Sequence, residues 1–369
     1  MKQVKASMKG YYGITFIIGL GFFTMGLMDP LYDTYVPMFL TNFLRSDGIV
    51  GLIMGIDNLF ALLLIPIVSA LSDKTRTPIG RRMPYILVTL PMTAIFFGLL
   101  PVSALRSLAF LVIIIFFLNV FKQAARGPVV ALMPDIIPGD LRSEANGVIN
   151  TMGGIAAIVG TVFLARLYDV NITIPIFGST LVPFPGNSIR ASGEAAIGSL
   201  PFITSGLLVI IVTLLLFLLV KEKKAAKSEE GEERIPVLKS LKMVFTAEDK
   251  SALFILFSIL FWFIGYQGVL PWIGIYGVDF LDLTPGTAAL SAGMVGISYA
   301  IFAIPSGIVA HKIGRKKTIR ISLAVLTILT FIMYFHHPFT SRLGLSRTVT
   351  LVSFWSMLFL FGIFWGGVV

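Results

Sequence analysis

The stretch Ser69-Ala70-Leu71-Ser72-Asp73-Lys74-Thr75-Arg76-Thr77-Pro78-Ile79-Gly80-Arg81-Arg82-Met83-Pro84 lies between two apolar runs, 49–72 and 83–103. Each run can cross the hydrocarbon layer of a bilayer, which takes about 20 mostly apolar residues. Between them stand Lys74, Arg76, Arg81 and Arg82 against one acid, Asp73. Thr77-Pro78-Ile79-Gly80 is turn chemistry. The stretch therefore predicts two spanning helices joined by a short basic turn, and such turns lie on the cytoplasmic face.

The rest of the chain agrees. Of its 369 residues, 56% are apolar and 13% charged, where soluble proteins average roughly 45–50% and about 25%. Too little polar surface remains for a soluble protein, and the same figures exclude a disordered chain. With no cysteine and three histidines, thiolate chemistry and disulfides are excluded. No metal site and no cofactor are expected.

Ten spans are expected, at 11–39, 49–72, 83–103, 108–134, 145–167, 199–220, 251–276, 285–310, 320–336 and 349–369. Alternate loops divide the basic residues unevenly. The side of the N-terminus holds 21 Lys and Arg, and the other side holds only Arg45, Arg106, Arg190, Arg342 and Arg347. This asymmetry places the N-terminus in the cytoplasm. It also accounts for the net charge of +10 without a nucleic-acid partner. The partners expected are the lipid bilayer, a small-molecule substrate and a co-transported cation, and a monomer is the simplest state. Short loops and no targeting extension point to a bacterial or archaeal cytoplasmic membrane. Residues 168–198 are read as an outer loop forming a lid, and His336-His337 as an outer-loop pair.

The chain divides into a six-helix bundle at 1–220, a cytoplasmic linker at 221–250 and a second bundle at 251–369. Val237, Leu238, Leu241, Val244 and Phe245 have helical spacing, with Lys239 and Lys242 between them, which suits a helix lying on the membrane face. The second bundle repeats the first. Phe22-Phe23-Thr24-Met25-Gly26 matches Phe261-Trp262-Phe263-Ile264-Gly265, and Ile65-Pro66 matches Ile304-Pro305, at one offset of 239. Each Ile-Pro precedes a basic turn, the second being His311-Lys312-Ile313-Gly314-Arg315-Lys316-Lys317. Many secondary transporters consist of two such halves with the substrate between them near the midplane.

The turn through Asp73, Gly80, Arg81 and Arg82 resembles the signature loop of the major facilitator superfamily, with Ser69 in place of its usual glycine. Gly307, Gly314 and Arg315 form a second copy, with His311 in place of the acid. The resemblance implies an all-α polytopic fold of two pseudo-repeated bundles, and a cytoplasmic gate whose ion pairs cross the interface and break as the halves rock. The fuller form through Met83-Pro84 resembles the glycoside–pentoside–hexuronide:cation symporters and related sucrose-type transporters. So does Ala131-Leu132-Met133-Pro134-Asp135 with Arg142, Ala145 and Asn146. That implies a sugar or glycoside carried with a cation, and no enzymatic reaction. It also implies twelve spans, so two more are expected beyond residue 369.

Ionisable residues inside spans mark function by default, because each costs about 2.5–3.5 kcal/mol at the bilayer centre. Asp29 and Asp33 share a face of span 1, and Asp57 lies in span 2. Asn119, Lys122, Gln123 and Arg126 share a face of span 4. If Lys122 and Arg126 each neutralise one acid, one carboxylate is left to take a proton or coordinate sodium. All three acids are candidates, and the resemblance favours Asp57, because melibiose-type members use acids in span 2. Ala61 stands where their second acid would be, so a proton is favoured over sodium. The plain alternatives are outer-mouth acids facing water and a structural ion pair. For the substrate, the candidates are Asn119, Lys122, Gln123 and Arg126 with Trp262, Tyr266 and Gln267 of span 7, where Pro271 should loosen the helix. Two other readings are an exporter of drugs or metabolites, which needs fewer paired bases, and a non-transporting sensor of the same fold, which needs none.

Overall fold

The computed structural model describes residues 8–169, 174–176, 179–181, 199–222 and 243–368. The apolar runs form helices α1 (Tyr12–Thr41), α2 (Asp47–Lys74), α3 (Met83–Arg106), α4 (Leu108–Ile136), α5 (Arg142–Ile158) and α6 (Leu200–Leu219). After the linker come α7 (Ser251–Val269), α8 (Trp272–Leu281), α9 (Pro285–Ile313), α10 (Arg315–Arg342) and α11 (Arg347–Trp365). Nine helical stretches among the described residues are long and apolar enough to cross a membrane, with α7 and α8 counted as one. Strands β1 (Ile174–Ile176) and β2 (Ser179–Leu181) form a small antiparallel hairpin in the long loop after α5. The all-α polytopic fold expected from the sequence is present. Most of that loop, most of the linker with Val237, Leu238, Lys239, Leu241 and Lys242, and Val369 lie outside the described residues.

The helices start and stop for local reasons. Ser107, Thr284 and Ser346 cap α4, α9 and α11 by accepting from the N–H three residues on. Leu270-Pro271 breaks the span into α7 and α8, where loosening was expected. α5 widens into a π-helical turn at Val159–Leu164 and then tightens into a 3-10 turn at Ala165–Asp169. Tyr35 of α1 holds this last turn. Its ring stacks on Tyr168 at 4.4 Å, and its hydroxyl donates to the Ala165 carbonyl at 3.0 Å.

One sequence expectation is corrected by α10. His336 and His337 lie inside α10 and not in an outer loop. His336 is buried, its Nε2 2.8 Å from the Ser353 hydroxyl of α11, and the His337 N–H donates to the Tyr276 hydroxyl. Partners on neighbouring helices thus carry α10 through a polar stretch that ended the apolar run.

Small residues let the helices close up. A Cβ on Gly26 of α1 would collide with the Gly153 carbonyl oxygen of α5, so the two backbones touch there. α2 buries only Val50 and Ser72, and α7 buries none of its residues. Their apolar outer sides, Leu59, Leu62, Phe254 and Phe261 among them, are exposed and suit lipid. Gly26→Val should lower the midpoint of thermal unfolding in detergent by overpacking worth about 1–3 kcal/mol. An unchanged midpoint would contradict the close α1–α5 approach.

Candidate functional site

The helix ends define two faces. The basic end holds the turns after α2, α4 and α9, and the far end holds those after α1, α3, α8 and α10. A cavity of about 610 Å³ opens between α1, α2, α4 and α5 on one side and α7, α9 and α11 on the other. Asp29, Asp57 and Lys122 lie within about 5 Å of the middle of their helices, at 1.5 Å per residue, and Asp33 is one turn nearer the far end.

Along the cavity wall, Lys122 Nζ pairs with Asp29 Oδ1 at 2.7 Å and sits 4.7 Å from the centre of the Tyr32 ring. Tyr32 is held in turn, its hydroxyl accepting from Asn119 Nδ2 at 2.9 Å. Arg126, one turn along α4 from Lys122, also lines the cavity. It makes no ion pair among the described residues, which corrects the expectation that each base would neutralise one acid. Asp33 and Asp57 make none either, and Asp57 Oδ1 is buried without a hydrogen-bond partner. Gln123 is buried at the same wall with Oε1 unmatched.

From the other side, Tyr266, Gln267 and Trp365 line the cavity. Trp365 packs on both rings, stacked on Trp262 at 4.2 Å between centroids and tilted against Tyr266 at 3.7 Å. Trp262 therefore stands behind this platform and Asn119 behind Tyr32, neither on the cavity wall. Sequence reading missed Tyr32 and Trp365. Tyr32 sits one turn from Asp29 on the same helix face and was findable. Nothing local marks Trp365, whose place depends on helices 100 residues apart in the chain.

A second constellation lies at the basic end. Arg81 holds Asp135 with two bonds, Nε at 3.0 Å and Nη2 at 2.6 Å. Arg82 is fully buried. It reaches Asp135 through Nε at 2.8 Å, the Ser72 hydroxyl at 2.5 Å, and Asp73. Burial works against the charge of Arg81, but the hydrogen bond and charge of Asp135 outweigh it and raise its pKa above the ordinary value. The resemblance implied pairs that cross between halves. These pairs instead tie α2, α3 and α4 to one another, so they brace one bundle. Arg142 donates to the Ile137 and Pro134 carbonyls and shapes the turn after α4. In the second copy, Gly314 joins α9 to α10 at φ 92°, and Arg315 opens α10. Gly307 lies within α9.

Glu222 completes the basic end and was read as a linker residue. Its carboxylate is buried and accepts from the backbone N–H groups of Arg81, Arg82 and Met83 at 2.8–3.1 Å. It caps α3 from a distance, with its charge at the positive end of the helix. Gly80 is required beside it, since φ is +117° and a Cβ would overlap the carboxylate.

A family model, Major Facilitator Superfamily, matches residues 14–369. The chain belongs to this superfamily. No curated protein matches the sequence significantly. Among solved structures, it is similar to a crystal structure of a D-xylose–proton symporter, with a TM-score of 0.62 at 14% identity over 96% of this chain and 81% of that one. A bacterial homolog to the human lysosomal transporter Spinster, inward-facing and unoccupied, gives 0.69 at 16% over 98% and 75%. The nucleoside transporter NupG gives 0.62 at 15% over 95% and 79%. At these identities the likeness concerns the fold.

Glu222→Ala strands three N–H groups at the start of α3 and should cost about 2–5 kcal/mol of stability. It should also speed proteolysis within 75–82. Unchanged stability and cleavage would show that Glu222 does not hold the turn.

Proposed function

We propose that this superfamily transporter is a symporter that carries a sugar or glycoside together with a cation, a proton before sodium, by alternating access. The observation that carries this reading is the charge balance of the cavity. Three carboxylates face two bases, Lys122 is engaged by Asp29, and Asp33 and Asp57 are left with only Arg126 opposite them. One negative charge is in excess. In a low-dielectric site such an excess favours binding a proton or a metal cation through oxygen. Arg126, Gln123 and Gln267 supply polar groups for hydroxyls, and the Tyr266–Trp365 platform supplies an apolar face for a sugar ring.

The two bundles, 1–220 and 251–369, rock about this cavity. On the far-end side of the cavity they meet closely. A Cβ on Gly274 of α8 would come within 2.8 Å of Thr34 on α1, and one on Gly293 of α9 within 2.5 Å of the Thr161 Cβ. We read this as the state closed at the far end and open toward the basic, cytoplasmic end. The motif likeness to the glycoside–pentoside–hexuronide:cation symporters supports the substrate class, as does the resemblance in fold to a D-xylose–proton symporter.

Purified protein in liposomes should accumulate at least one of a panel of labelled glycosides under an inward proton or sodium gradient, and lose it when an ionophore collapses that gradient. Asp57→Asn should abolish accumulation while sparing exchange of glycoside down its own gradient. No accumulation of any glycoside under either gradient would overturn the symporter reading.

A further inference from the structure

The turns after α2 and α9 carry two copies of one motif, and they differ in charge. Each has a glycine of positive φ ahead of a spanning helix, Gly80 at 117° and Gly314 at 92°. In the first copy, Lys74, Arg76, Arg81 and Arg82 stand with the carboxylates of Asp73, Asp135 and Glu222. In the second, Lys312, Arg315, Lys316, Lys317 and Arg320 fall within one short stretch, and no Asp or Glu follows Asp282 in the sequence. All five bases are exposed, and none makes an ion pair among the described residues. The Glu222 carboxylate fills the space beside Gly80, whereas a Cβ on Gly314 would meet nothing within 4 Å.

α10 sets these charges at the edge of an outward apolar face. Its buried residues recur every three or four positions, as in Thr318, Ser322, Leu326, Leu329 and Met333, and form a single stripe. The opposite side is exposed. At 3.6 residues per turn, Lys316 and Arg320 share that outward side with Leu323 and Phe331, both exposed. Both bases lie within about 8 Å of the start of the helix, at 1.5 Å per residue. Side chains so placed lay their stems along apolar surface and carry the charge to headgroup depth. Positive charge at the start of a helix also opposes its dipole, so the cluster is costly unless an anion meets it.

We infer that this patch is a docking surface for an anionic phospholipid, with its phosphate on Lys316 and Arg320 and a tail along Leu323 and Phe331. Clusters of bases beside a spanning helix attract anionic headgroups, and here no nearby acid in the sequence competes for them. The lipid gives the second copy of the motif the negative charge that Asp73, Asp135 and Glu222 give the first. A zwitterionic lipid brings its own ammonium beside the phosphate and suits the patch less well. The inference is independent of what the cavity carries.

The chain has no cysteine, so one introduced thiol takes a bimane label without background. Leu323→Cys places the label on the outward side of α10, and Leu62→Cys places a reference label on the exposed side of α2. Ile319→Cys serves if Leu323→Cys does not fold. The protein is reconstituted in vesicles of phosphatidylcholine with one phosphatidylglycerol in five, and bromine on the tails of one lipid or the other quenches the label. Phosphatidylglycerol should be favoured several-fold at position 323 and not at position 62. Lys316→Gln with Arg320→Gln, which leaves three bases in the turn, should bring the preference at 323 close to parity. Added salt should lower it in the otherwise unaltered protein, because exposed charges are screened. Equal quenching by both lipids at 323, or a preference that survives both substitutions, would overturn the inference. So would a preference that emerges only when Glu229, Glu230, Glu232 and Glu233 are changed to Gln, since the chain's own acids would then occupy the patch.

Discussion

An ammonium and a carboxylate meet at 2.7 Å between α4 and α1, near the middle of both helices, in a chain whose surroundings are apolar. Each charge alone costs several kcal/mol at that depth, and the cost falls only when a partner or water is present. Lys122 therefore fixes Asp29, and through the Tyr32 ring and Asn119 it fixes the rotation of α4 against α1. The place of every other charge follows from that rotation. Arg126 is carried into the cavity one turn further along, and Asp33 is carried toward the far end, beside Asp57. The excess carboxylate arises because three acids line the cavity against two bases, and of those bases only Lys122 makes an ion pair among the described residues.

A second buried carboxylate has a different task. Glu222 binds only backbone N–H groups, so it holds a turn in shape and adds charge at the start of α3. Arg81 and Arg82, placed by that turn, gather Asp73 and Asp135 into one network. The basic end of α2, α3 and α4 is thereby a rigid unit. A rigid bundle suits a carrier whose motion occurs between bundles, because strain at the cavity is passed on instead of being absorbed locally. The two charge clusters thus differ in place, one lining the cavity near the middle of its helices, the other at the helix ends holding shape.

Helices were legible in the sequence because apolar length and flanking charge are local signals. The break at Pro271 was legible for the same reason, since a proline removes a hydrogen bond wherever it stands. α10 was drawn too short because His336 and His337 find partners on α11 and α8, and no local rule counts partners on another helix. That Lys122 would meet an acid was legible from charges placed inside the spans, but which acid was not. Nor was the absence of an ion pair at Arg126 among the described residues, since it depends on how far each helix is rotated and shifted. Asn119 shares a face with Gln123, but spacing cannot mark where a cavity wall ends, and Asn119 fell behind Tyr32. Glu222 was hidden most completely. Its partners are main-chain groups about 140 positions earlier, and a backbone N–H carries no residue identity.

The central claim is that the uncompensated carboxylates move a cation with the sugar. It is tested most directly by the charge displaced when sugar is jumped onto proteoliposomes on a solid-supported membrane, with no ion gradient imposed. The account predicts a current that saturates with sugar concentration and vanishes in the Asp33→Asn, Asp57→Asn double variant. Sugar flux with no accompanying current and no change in internal pH or sodium would contradict it.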